Sequence, residues 1–442
     1  MNQALINQID REIEDARQSL AQDVIRLVNI KSVKGAPQPG APFGYGPQEV
    51  LDTVLEMGKQ EDFYPTDYQV GVVSLAMKDS QPDLGIWLHG DVVPEGEGWN
   101  FQPYHATEYK GCIVGRGATD NKGQLCAIFH LLKIFKDLEI PLRYNPALFV
   151  GSNEETGMED VQAFLNQHTP PRLSLVPDSS FPVGYGGKGA LHVSLRCKRP
   201  VEGLDITAGQ PESPGKATAR LYGKTIVTQS PPRHGANPDP KGNMITMLME
   251  RLLEEDLALP EDRPALAFFK ALSLDIHGTD LGIDADPGPM SRLTLFCQRI
   301  DMVEGCPQLT VNIRYPAAIT ADEIVLQLQK AADKNGVEVT NVRMGVLPYL
   351  LDKDWPVITR LNAIANEITG QDRAPYTLGG GTYAHRLPNA LAFGMDGSLP
   401  PEDFPKGRGS AHGLDECVSL DRLQRAMKIY ARTLLALNEM EW

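Results

Sequence analysis

The first 185 residues alternate between two patterns, and this alternation constrains the fold more than any other feature of the sequence. Three short apolar runs, "GIWLH" at 85–89, "ALFVG" at 147–151 and "LSLVPD" at 173–178, each end in, or lead directly into, polar or charged residues. Between the first two lies "KGQLCAIFHLLKIFKDL", at 122–138, whose apolar residues recur at helical spacing. Strands that alternate with helices predict an α/β layered fold with functional residues at the carboxyl ends of the strands.

A different pattern begins near residue 186. The segments "GALHVSLRCKR" at 189–199 and "LTVNIRYP" at 309–316 alternate in the manner of antiparallel strands. "TADEIVLQLQKAADK" begins with a Thr320/Glu323 capping box and predicts a helix. The α/β pattern resumes after "PYLLDKDWP". We therefore predict an α/β domain made of residues 1–185 and 348–442, with a separate α+β domain of residues 186–347 inserted into it.

Charge and composition exclude several classes of partner. The net charge of −15 would repel nucleic acid and anionic lipid, so neither is an expected partner. No apolar run approaches the roughly 18 residues of a membrane span. The segment "ALINQIDREIEDARQSLAQDVIRLV" carries acidic residues throughout and predicts an amphipathic helix instead of a signal peptide. The six scattered cysteines form no CxxC motif, which favours reduced thiols in a cytoplasmic protein.

A few polar residues stand where functional side chains concentrate. Of the nine histidines, four lie among glycines and acids in loop-like segments: His89, His234, His385 and His412. Four acids have similar surroundings, at the ends of predicted strands or in a glycine-rich turn: Asp120, Glu154, Glu155 and Asp178. Each acid alone is better explained as a cap or as part of a solvated surface. Together with a histidine that ends a strand, they supply the imidazole and carboxylate ligands that zinc, cobalt or manganese prefers.

The charges of such a centre suit a hydrolase. The five candidate ligands are His89, Asp120, Glu155, Asp178 and His412. If all five bind two divalent ions, the three carboxylates leave one positive charge uncompensated. That remaining charge favours a bound hydroxide, which is the nucleophile of metal-assisted hydrolysis.

Eight segments, in this order, resemble the aminoacylase/dipeptidase family of clan MH metallopeptidases, and within it the peptidase V-like dipeptidases. They are "HGDVVP", "GRGATDNKG", "NEETG", "VPDSSFPVGYGGKG", "RHGANP", "LTVNIRYP", "GGGTYAHRLPNALAFG" and "AHGLDE". The resemblance runs from roughly residue 15 to the C-terminus. It implies a three-layer αβα zinc-exopeptidase catalytic domain that carries an inserted α+β, ferredoxin-like lid domain.

The resemblance also implies a role for each residue of the metal centre. His89 and Asp178 would bind one metal ion, Glu155 and His412 the other, and Asp120 would bridge both. Asp91 would hold the second ring nitrogen of His89, and Glu154 would be the unliganded general base that activates a water. A cis peptide bond is implied after Asp120. The implied cofactors are two divalent ions, zinc first, with manganese and cobalt as alternatives.

On the substrate side, Arg314 of "NIRYP" would bind a substrate carboxylate, because a planar guanidinium pairs with a carboxylate through two hydrogen bonds. An exposed strand arginine is the other interpretation of Arg314. His234 would stabilise the oxyanion, Gly380 would offer a backbone amide, and Arg386 is a further candidate. His234 acts either in its own subunit or across a homodimer, so a monomer and a homodimer are both expected states.

Three departures from the family pattern lie in the predicted lid, near Pro211, at Phe296 and in one extra residue between His234 and Gly242. The metal residues are intact, so three functions remain open. The first is a cytoplasmic two-metal dipeptidase acting on small peptides. The second is an N-acyl amino acid amidohydrolase, a deacetylase or desuccinylase. The third is an idle metal- or peptide-binding protein, which the retained Glu154 disfavours because binding alone needs no general base.

Overall fold

The structure is a computed structural model that describes residues 3–208, 215–230, 239, 242–254, 259–395 and 398–442. Contacts between Cα atoms divide the chain into two units. The first unit comprises the chain up to Tyr185, Leu351–Tyr376 and Thr382–Trp442, and the second comprises Gly186–Leu350 and Thr377–Gly381. Residues 377–381, which the sequence assigned to the α/β domain, thus group with the second unit. The domain boundaries predicted at 185/186 and 347/348 stay a proposal.

The described residues form ten α-helices. In chain order they are α1 (Gln3–Asp15), α2 (Arg17–Val28), α3 (Tyr45–Gln60), α4 (Gly123–Asp137), α5 (Glu159–Gln167), α6 (Met244–Glu254), α7 (Arg263–Leu274), α8 (Ala321–Lys334), α9 (Pro356–Thr369) and α10 (Leu420–Leu437). Two shorter helical turns cover Ala118–Lys122 and Tyr383–His385.

The same residues form 19 β-strands. In chain order they are β1 (Tyr64–Asp67), β2 (Val72–Ala76), β3 (Leu84–His89), β4 (Thr107–Tyr109), β5 (Cys112–Val114), β6 (Pro146–Gly151), β7 (Leu173–Val176), β8 (Gly184–Gly187), β9 (Gly189–Cys197), β10 (Leu204–Ala208), β11 (Gly215–Leu221), β12 (Lys224–Ser230), β13 (Thr294–Val303), β14 (Cys306–Tyr315), β15 (Val337–Met344), β16 (Tyr349–Leu350), β17 (Tyr376–Leu378), β18 (Ala390–Ala392) and β19 (Cys417–Ser419).

The first unit is built on a mixed sheet whose central strands are parallel. Six of its strands lie side by side in the order β1-β2-β6-β3-β7-β18. The pairs β6–β3, β3–β7 and β7–β18 are parallel, and β1 and β2 are antiparallel to their neighbours. Every residue of β3, β6 and β7 is buried, as expected for parallel strands covered on both faces. The predicted α/β class is confirmed, and the carboxyl ends of β6, β3 and β7 meet at one edge.

Helices cover this sheet and complete one hydrophobic core. The segment predicted as one N-terminal helix is two helices, α1 and α2, with Ala16 between them. The apolar stripe still runs through both, because Ile9, Ile13, Leu20 and Val24 are all buried in the core. The predicted helix at 122–138 is α4, and it packs in the same core as α10.

The second unit has its own sheet and core. Seven strands lie in the order β12-β11-β10-β13-β14-β9-β15, and every neighbouring pair is antiparallel. Buried residues of these strands pack with α6, α7 and α8 in a second hydrophobic core. The predicted capping box begins α8: the Thr320 hydroxyl accepts from the Glu323 amide, and the Glu323 carboxylate accepts from the Thr320 amide. This is the α+β architecture predicted for the inserted region.

Two further expectations concern the whole chain. All six cysteines are buried and none is in a disulfide. Among the described residues, no helix combines the length and the apolar character that crossing a bilayer would require.

Candidate metal centre

Four of the candidate residues stand at the carboxyl ends of three neighbouring parallel strands. His89 is the last residue of β3 and pairs with Gly151 at the end of β6. Glu154 and Glu155 come three and four residues after Gly151, and Asp178 follows the end of β7. Because the carboxyl ends of parallel strands share an edge, residues that are far apart in sequence meet there.

Asp120 stands between the two candidate histidines. It lies in the turn Ala118–Lys122 that leads into α4, and its peptide bond to Asn121 is cis, as the resemblance implied. Asp120 Oδ1 is 3.1 Å from His89 Nε2, and Oδ2 is 3.1 Å from His412 Nε2. The two oxygens of one carboxylate therefore face two different imidazoles.

The side chains fall into two groups of possible metal ligands. One group is His89, Glu154 and Asp178, and the other is Asp120, Glu155 and His412; in each group the ligand atoms lie within 4.8 Å of one another. Donors at about 2.0–2.1 Å from a tetrahedral zinc ion are about 3.3 Å apart. The distance of 3.0 Å from His412 Nε2 to Glu155 Oε1 is close to that spacing. The two groups thus have the composition and dimensions of two neighbouring cation sites.

Asp91 contacts His89 differently from the expectation. The His89 Nδ1 atom lies 3.0 Å from the carbonyl oxygen of Asp91, and 3.5 Å from its carboxylate Oδ1. The carboxylate instead accepts the backbone N–H groups of Glu154 and Glu155, at 3.0 and 3.1 Å. One residue therefore orients the imidazole through its main chain and holds the two glutamates through its side chain.

Other residues that support the centre were not singled out from the sequence. Asp160 is fully buried and accepts hydrogen bonds from the amides of Ser152 and Asn153, at 2.8 and 2.9 Å. The Tyr383 hydroxyl donates to the same carboxylate oxygen at 2.5 Å. Asp160 stands in "NEETGMED", beside the glutamates, and an acid in a strand-end loop is the signal that could have identified it. Arg116 and Glu416 were likewise inside quoted motifs without an assigned role.

Buried negative charge dominates the electrostatics of the centre. Burial, together with the charge of Asp178, raises the pKa of Glu154 well above its usual value. Burial and the nearby charge of Asp120 raise the pKa of Asp178 to about 7. Burial also opposes ionisation of Asp120, but hydrogen bonds to His412 and His89 outweigh it and hold the Asp120 pKa below its usual range. Four acids share two histidines here, so cations between them would relieve the repulsion.

One atom of the centre has no hydrogen-bond partner. Glu154 Oε1 is buried and without a partner in the described part of the chain. A buried carboxylate oxygen that is unpaired costs free energy unless something compensates it. This orphaned oxygen, the excess of carboxylates and the imidazole–carboxylate donor set all fit a pair of divalent cations and the water between them.

The described candidate substrate residues belong to both units. Arg314 in β14 and Gly380 belong to the second unit, and Arg386 belongs to the first. Burial lowers the pKa of Arg314. Among the described residues, neither Arg314 Nε nor Arg386 Nε has a hydrogen-bond partner. His234 and Pro211 lie outside the described residues. Phe296 is buried in β13, opposite Asn312 of β14.

Comparison with known proteins gives relatives along the whole chain. A Bacillus subtilis (strain 168) protein named "Putative dipeptidase YtjP" is 27% identical over 96% of this chain and 98% of its own length. A Staphylococcus epidermidis (strain ATCC 12228 / FDA PCI 1200) protein named "Putative dipeptidase" is 24% identical over 95% of this chain and 97% of its own.

Solved structures share the fold at low identity. Human carnosine dipeptidase 1 superposes with a TM-score of 0.62 at 15% identity and covers 98% of this chain and 100% of its own. The dipeptidase Dug1p from Saccharomyces cerevisiae gives a TM-score of 0.64 at 14% identity, with 99% of both chains covered. Since these identities are below 25%, they support the fold alone.

The decisive match is to a family profile. The profile of Peptidase family M20/M25/M40 matches residues 86–436, which include every candidate ligand from His89 to His412. This chain therefore belongs to Peptidase family M20/M25/M40.

Proposed function

We propose that the protein is a two-metal dipeptidase that hydrolyses the amide bond of small peptides. The observation that carries the proposal is the placement of Asp120, whose two carboxylate oxygens lie 3.1 Å from His89 Nε2 and 3.1 Å from His412 Nε2. A carboxylate shared in this way suits a residue that bridges two ions. His89 and Asp178 would hold one ion, and Glu155 and His412 the other.

Two divalent cations at these positions, with zinc the first candidate, would polarise the substrate carbonyl and lower the pKa of a water. Glu154 would take a proton from that water and deliver it to the departing amine. The unpartnered Oε1 atom of Glu154 leaves an acceptor free for this work. Without cations its pKa is raised, and nearby positive charge would lower it towards the operating pH. Asp91 would keep Glu154 in place through the Glu154 amide.

A dipeptide offers a free carboxylate, and Arg314 is the proposed partner for it. The support is that Arg314 is largely buried with an unpartnered Nε, which a carboxylate would satisfy. His234, Gly380 and Arg386 remain proposals for the oxyanion and the remainder of the substrate. The names of two sequence relatives, both putative dipeptidases, favour a peptide substrate. Six unpaired cysteines suit a cytoplasmic location.

The test compares substrates on one metal-loaded preparation. Protein loaded with zinc, manganese or cobalt is assayed with free dipeptides, β-alanyl peptides, and N-acetyl and N-succinyl amino acids. We expect turnover of free dipeptides. Acetylation of the dipeptide amine should lower kcat/KM at least about tenfold, because it removes roughly one charge-assisted hydrogen bond.

Each alternative has its own outcome in this assay. Equal or better turnover of the acylated substrates would identify an N-acyl amino acid amidohydrolase. Metal uptake without turnover of either substrate class would support the idle binding protein. Protein treated with a chelator is the matched control, since hydrolysis that survives removal of the metals would contradict a metal-dependent reaction.

A further inference from the structure

A buried ion pair lies beside the candidate centre and contributes no candidate ligand. Arg116 Nη1 donates to Glu416 Oε2 at 2.5 Å, and the two side chains are 2% and 0% exposed. Burying two charges costs several kcal/mol of desolvation per ion, and such a pair is weak support for stability on its own. Arg116 and Glu416 are 300 residues apart in sequence, so the pair joins two distant segments.

The carboxylate of this pair holds the segment that carries Asp120. Glu416 Oε1 accepts the backbone N–H groups of Thr119 and Asp120, both at 3.0 Å. An ionised acceptor makes shorter and stronger hydrogen bonds to backbone amides than a neutral one does. The main chain of the proposed bridging residue is therefore tied to a charged group that contacts no ligand atom itself.

The guanidinium holds the segment that carries His412. Arg116 Nη2 donates to the carbonyl oxygen of His412 at 3.2 Å and to that of Glu95 at 3.3 Å. His412 has a positive φ of 60°, which a non-glycine residue adopts only where its surroundings stabilise it. The indole of Trp99 lies under the guanidinium, 5.2 Å from ring centroid to Cζ, and so restricts its plane.

We propose that the Arg116–Glu416 pair sets the distance between Asp120 and His412. The pair thereby sets the affinity for a cation of the site formed by Asp120, Glu155 and His412. Asp120 and His412 belong to the same group of possible ligands, together with Glu155. One rigid guanidinium reaches both: directly to the carbonyl of His412, and through Glu416 to the amide of Asp120. Lysine cannot replace this arrangement, because a single ammonium lacks the planar fork.

The inference rests on the proposed two-metal function, and its test measures metal binding instead of turnover. Metal-free wild type, Arg116→Lys and Glu416→Gln are each titrated with Zn²⁺ in a calorimeter. Wild type should bind two ions. In each variant, the site that contains His412 should weaken about 10- to 100-fold, the usual effect of losing a group that orients a ligand. The site of His89 and Asp178, which shares Asp120 but not His412, should weaken less.

A matched control separates positioning from general destabilisation. Arg432 makes a two-point pair with Asp10, Nη1–Oδ1 and Nη2–Oδ2 both at 2.5 Å, between α10 and α1, which carry no candidate ligand. Arg432→Lys removes an equivalent fork and should leave both Zn²⁺ affinities at the wild-type values. Cobalt-substituted protein adds a spectroscopic readout, because the visible absorption of Co²⁺ follows its coordination. Only the Arg116 and Glu416 variants should alter the spectrum of the second ion added.

A double variant covers the case in which a single variant does not fold. Glu416→Gln leaves the Arg116 charge buried and unpaired, and Arg116→Lys keeps a buried cation without the donors of the fork, whereas Arg116→Met with Glu416→Gln removes both charges. The double variant should fold and still bind the second ion at least about tenfold more weakly. Wild type that takes up fewer than two ions would overturn the proposed function and this inference with it. Two ions in wild type with unchanged affinities in the variants, or equal loss at both sites, would overturn this inference alone.

Discussion

At the scale of single residues, two adjacent glutamates take different places in the centre. Glu154 groups with His89 and Asp178, whereas Glu155 groups with Asp120 and His412. Both amides are held by the carboxylate of Asp91, so the main chain is pinned while the two side chains diverge. Consecutive residues after a strand need not point to the same side, and the chain can therefore divide ligand and base between neighbours.

This division predicts opposite effects for two isosteric substitutions. Glu154→Gln should retain both metal ions but lose at least about a hundredfold in kcat, because an amide cannot accept the proton from the attacking water. Elemental analysis of the purified variant, beside steady-state kinetics on a dipeptide, measures both quantities on one sample.

Glu155→Gln is the matched comparison. It should lower metal occupancy at the site of His412, because the amide is a much poorer ligand than the carboxylate that lies 3.0 Å from His412 Nε2. If Glu154→Gln emptied a site while Glu155→Gln kept two ions and lost only turnover, the roles assigned here would be reversed.

How far the sequence predicts such a site depends on the kind of contact. Residue types at strand ends, in a glycine-rich turn and in loop-like segments singled out the acids and histidines, because these patterns are local. The pairing of Arg116 with Glu416 spans 300 residues, and no local pattern reports it. His89 Nδ1 lies closer to the carbonyl oxygen of Asp91, at 3.0 Å, than to its carboxylate Oδ1, at 3.5 Å, a difference set by backbone geometry that residue identity does not encode.

At the scale of elements, the loop after β6 carries both glutamates and is held by two buried acids. Asp91 accepts the amides of Glu154 and Glu155, and Asp160 accepts those of Ser152 and Asn153. Four consecutive N–H groups are thus satisfied by two side chains. Such satisfaction lets an irregular loop lie buried at the end of a parallel strand.

We expect Asp160→Asn to lower the free energy of unfolding by about 2–3 kcal/mol, because charged acceptors of buried amides are each worth roughly 1.5–3 kcal/mol. Tyr383→Phe removes only the hydroxyl that donates to Asp160 and should cost about 1–2 kcal/mol. Urea unfolding followed by tryptophan fluorescence measures both. A Tyr383→Phe effect that exceeds the Asp160→Asn effect would show that the loop is not held mainly through Asp160.

In the second unit, strand β9 carries His192, whose protonation is unfavourable in the folded protein. Burial is the main cause that lowers the pKa of His192 to about 4, and the charges of Arg343 and Arg314 on the flanking strands β15 and β14 add to it. The unfolded chain binds that proton near pH 6.5, whereas the folded unit does not until about pH 4. Between these values the unfolded state holds more protons, so stability falls as the pH falls.

We expect the free energy of unfolding of this unit to fall by about 1–2 kcal/mol between pH 7 and pH 5. His192→Gln should remove that part of the pH dependence. Hydrogen exchange of amides in β9 and β14 at the two pH values measures the stability of this unit. His277, a half-buried histidine whose Nδ1 lies 2.7 Å from the Leu293 carbonyl, provides the control variant His277→Gln. An equal change in both variants would argue against a specific effect at His192.

At the scale of the whole molecule, the order of sequence patterns predicts the fold class well. Strands that alternate with helices in the first 185 residues predict the parallel strands, and segments of alternating apolar and polar residues in the middle predict the antiparallel sheet. The sequence places residues 377–381 in the α/β domain, whereas the structure groups them with the second unit. The sequence misses this because "LGGG" within that segment has no apolar pattern from which a domain could be predicted. The break at Ala16 also escapes prediction, since the apolar stripe continues through it.

The tryptophans are confined to one of the two units, so the two units can be followed by different measurements. All four tryptophans, Trp87, Trp99, Trp355 and Trp442, belong to the first unit, which also contains every candidate metal ligand. Tryptophan fluorescence therefore reports unfolding of the unit that would bind metal. Amides of β13 and β14 report on the second unit by hydrogen exchange.

We expect Zn²⁺ to raise the unfolding temperature seen by tryptophan fluorescence, because a ligand that binds only the folded state stabilises it by mass action. At a free concentration of one hundred times Kd, each site contributes about 2.7 kcal/mol, so two sites give about 5 kcal/mol and a shift of roughly 10 °C or more. Chelation should reverse the shift, and Glu416→Gln should reduce it because the second site is weaker. Hydrogen exchange of the amides in β13 and β14 should change much less on addition of Zn²⁺, since the described part of the second unit contains no group of candidate metal ligands. If Zn²⁺ left the unfolding temperature measured by tryptophan fluorescence unchanged, the clustered acids and histidines would not be its binding site.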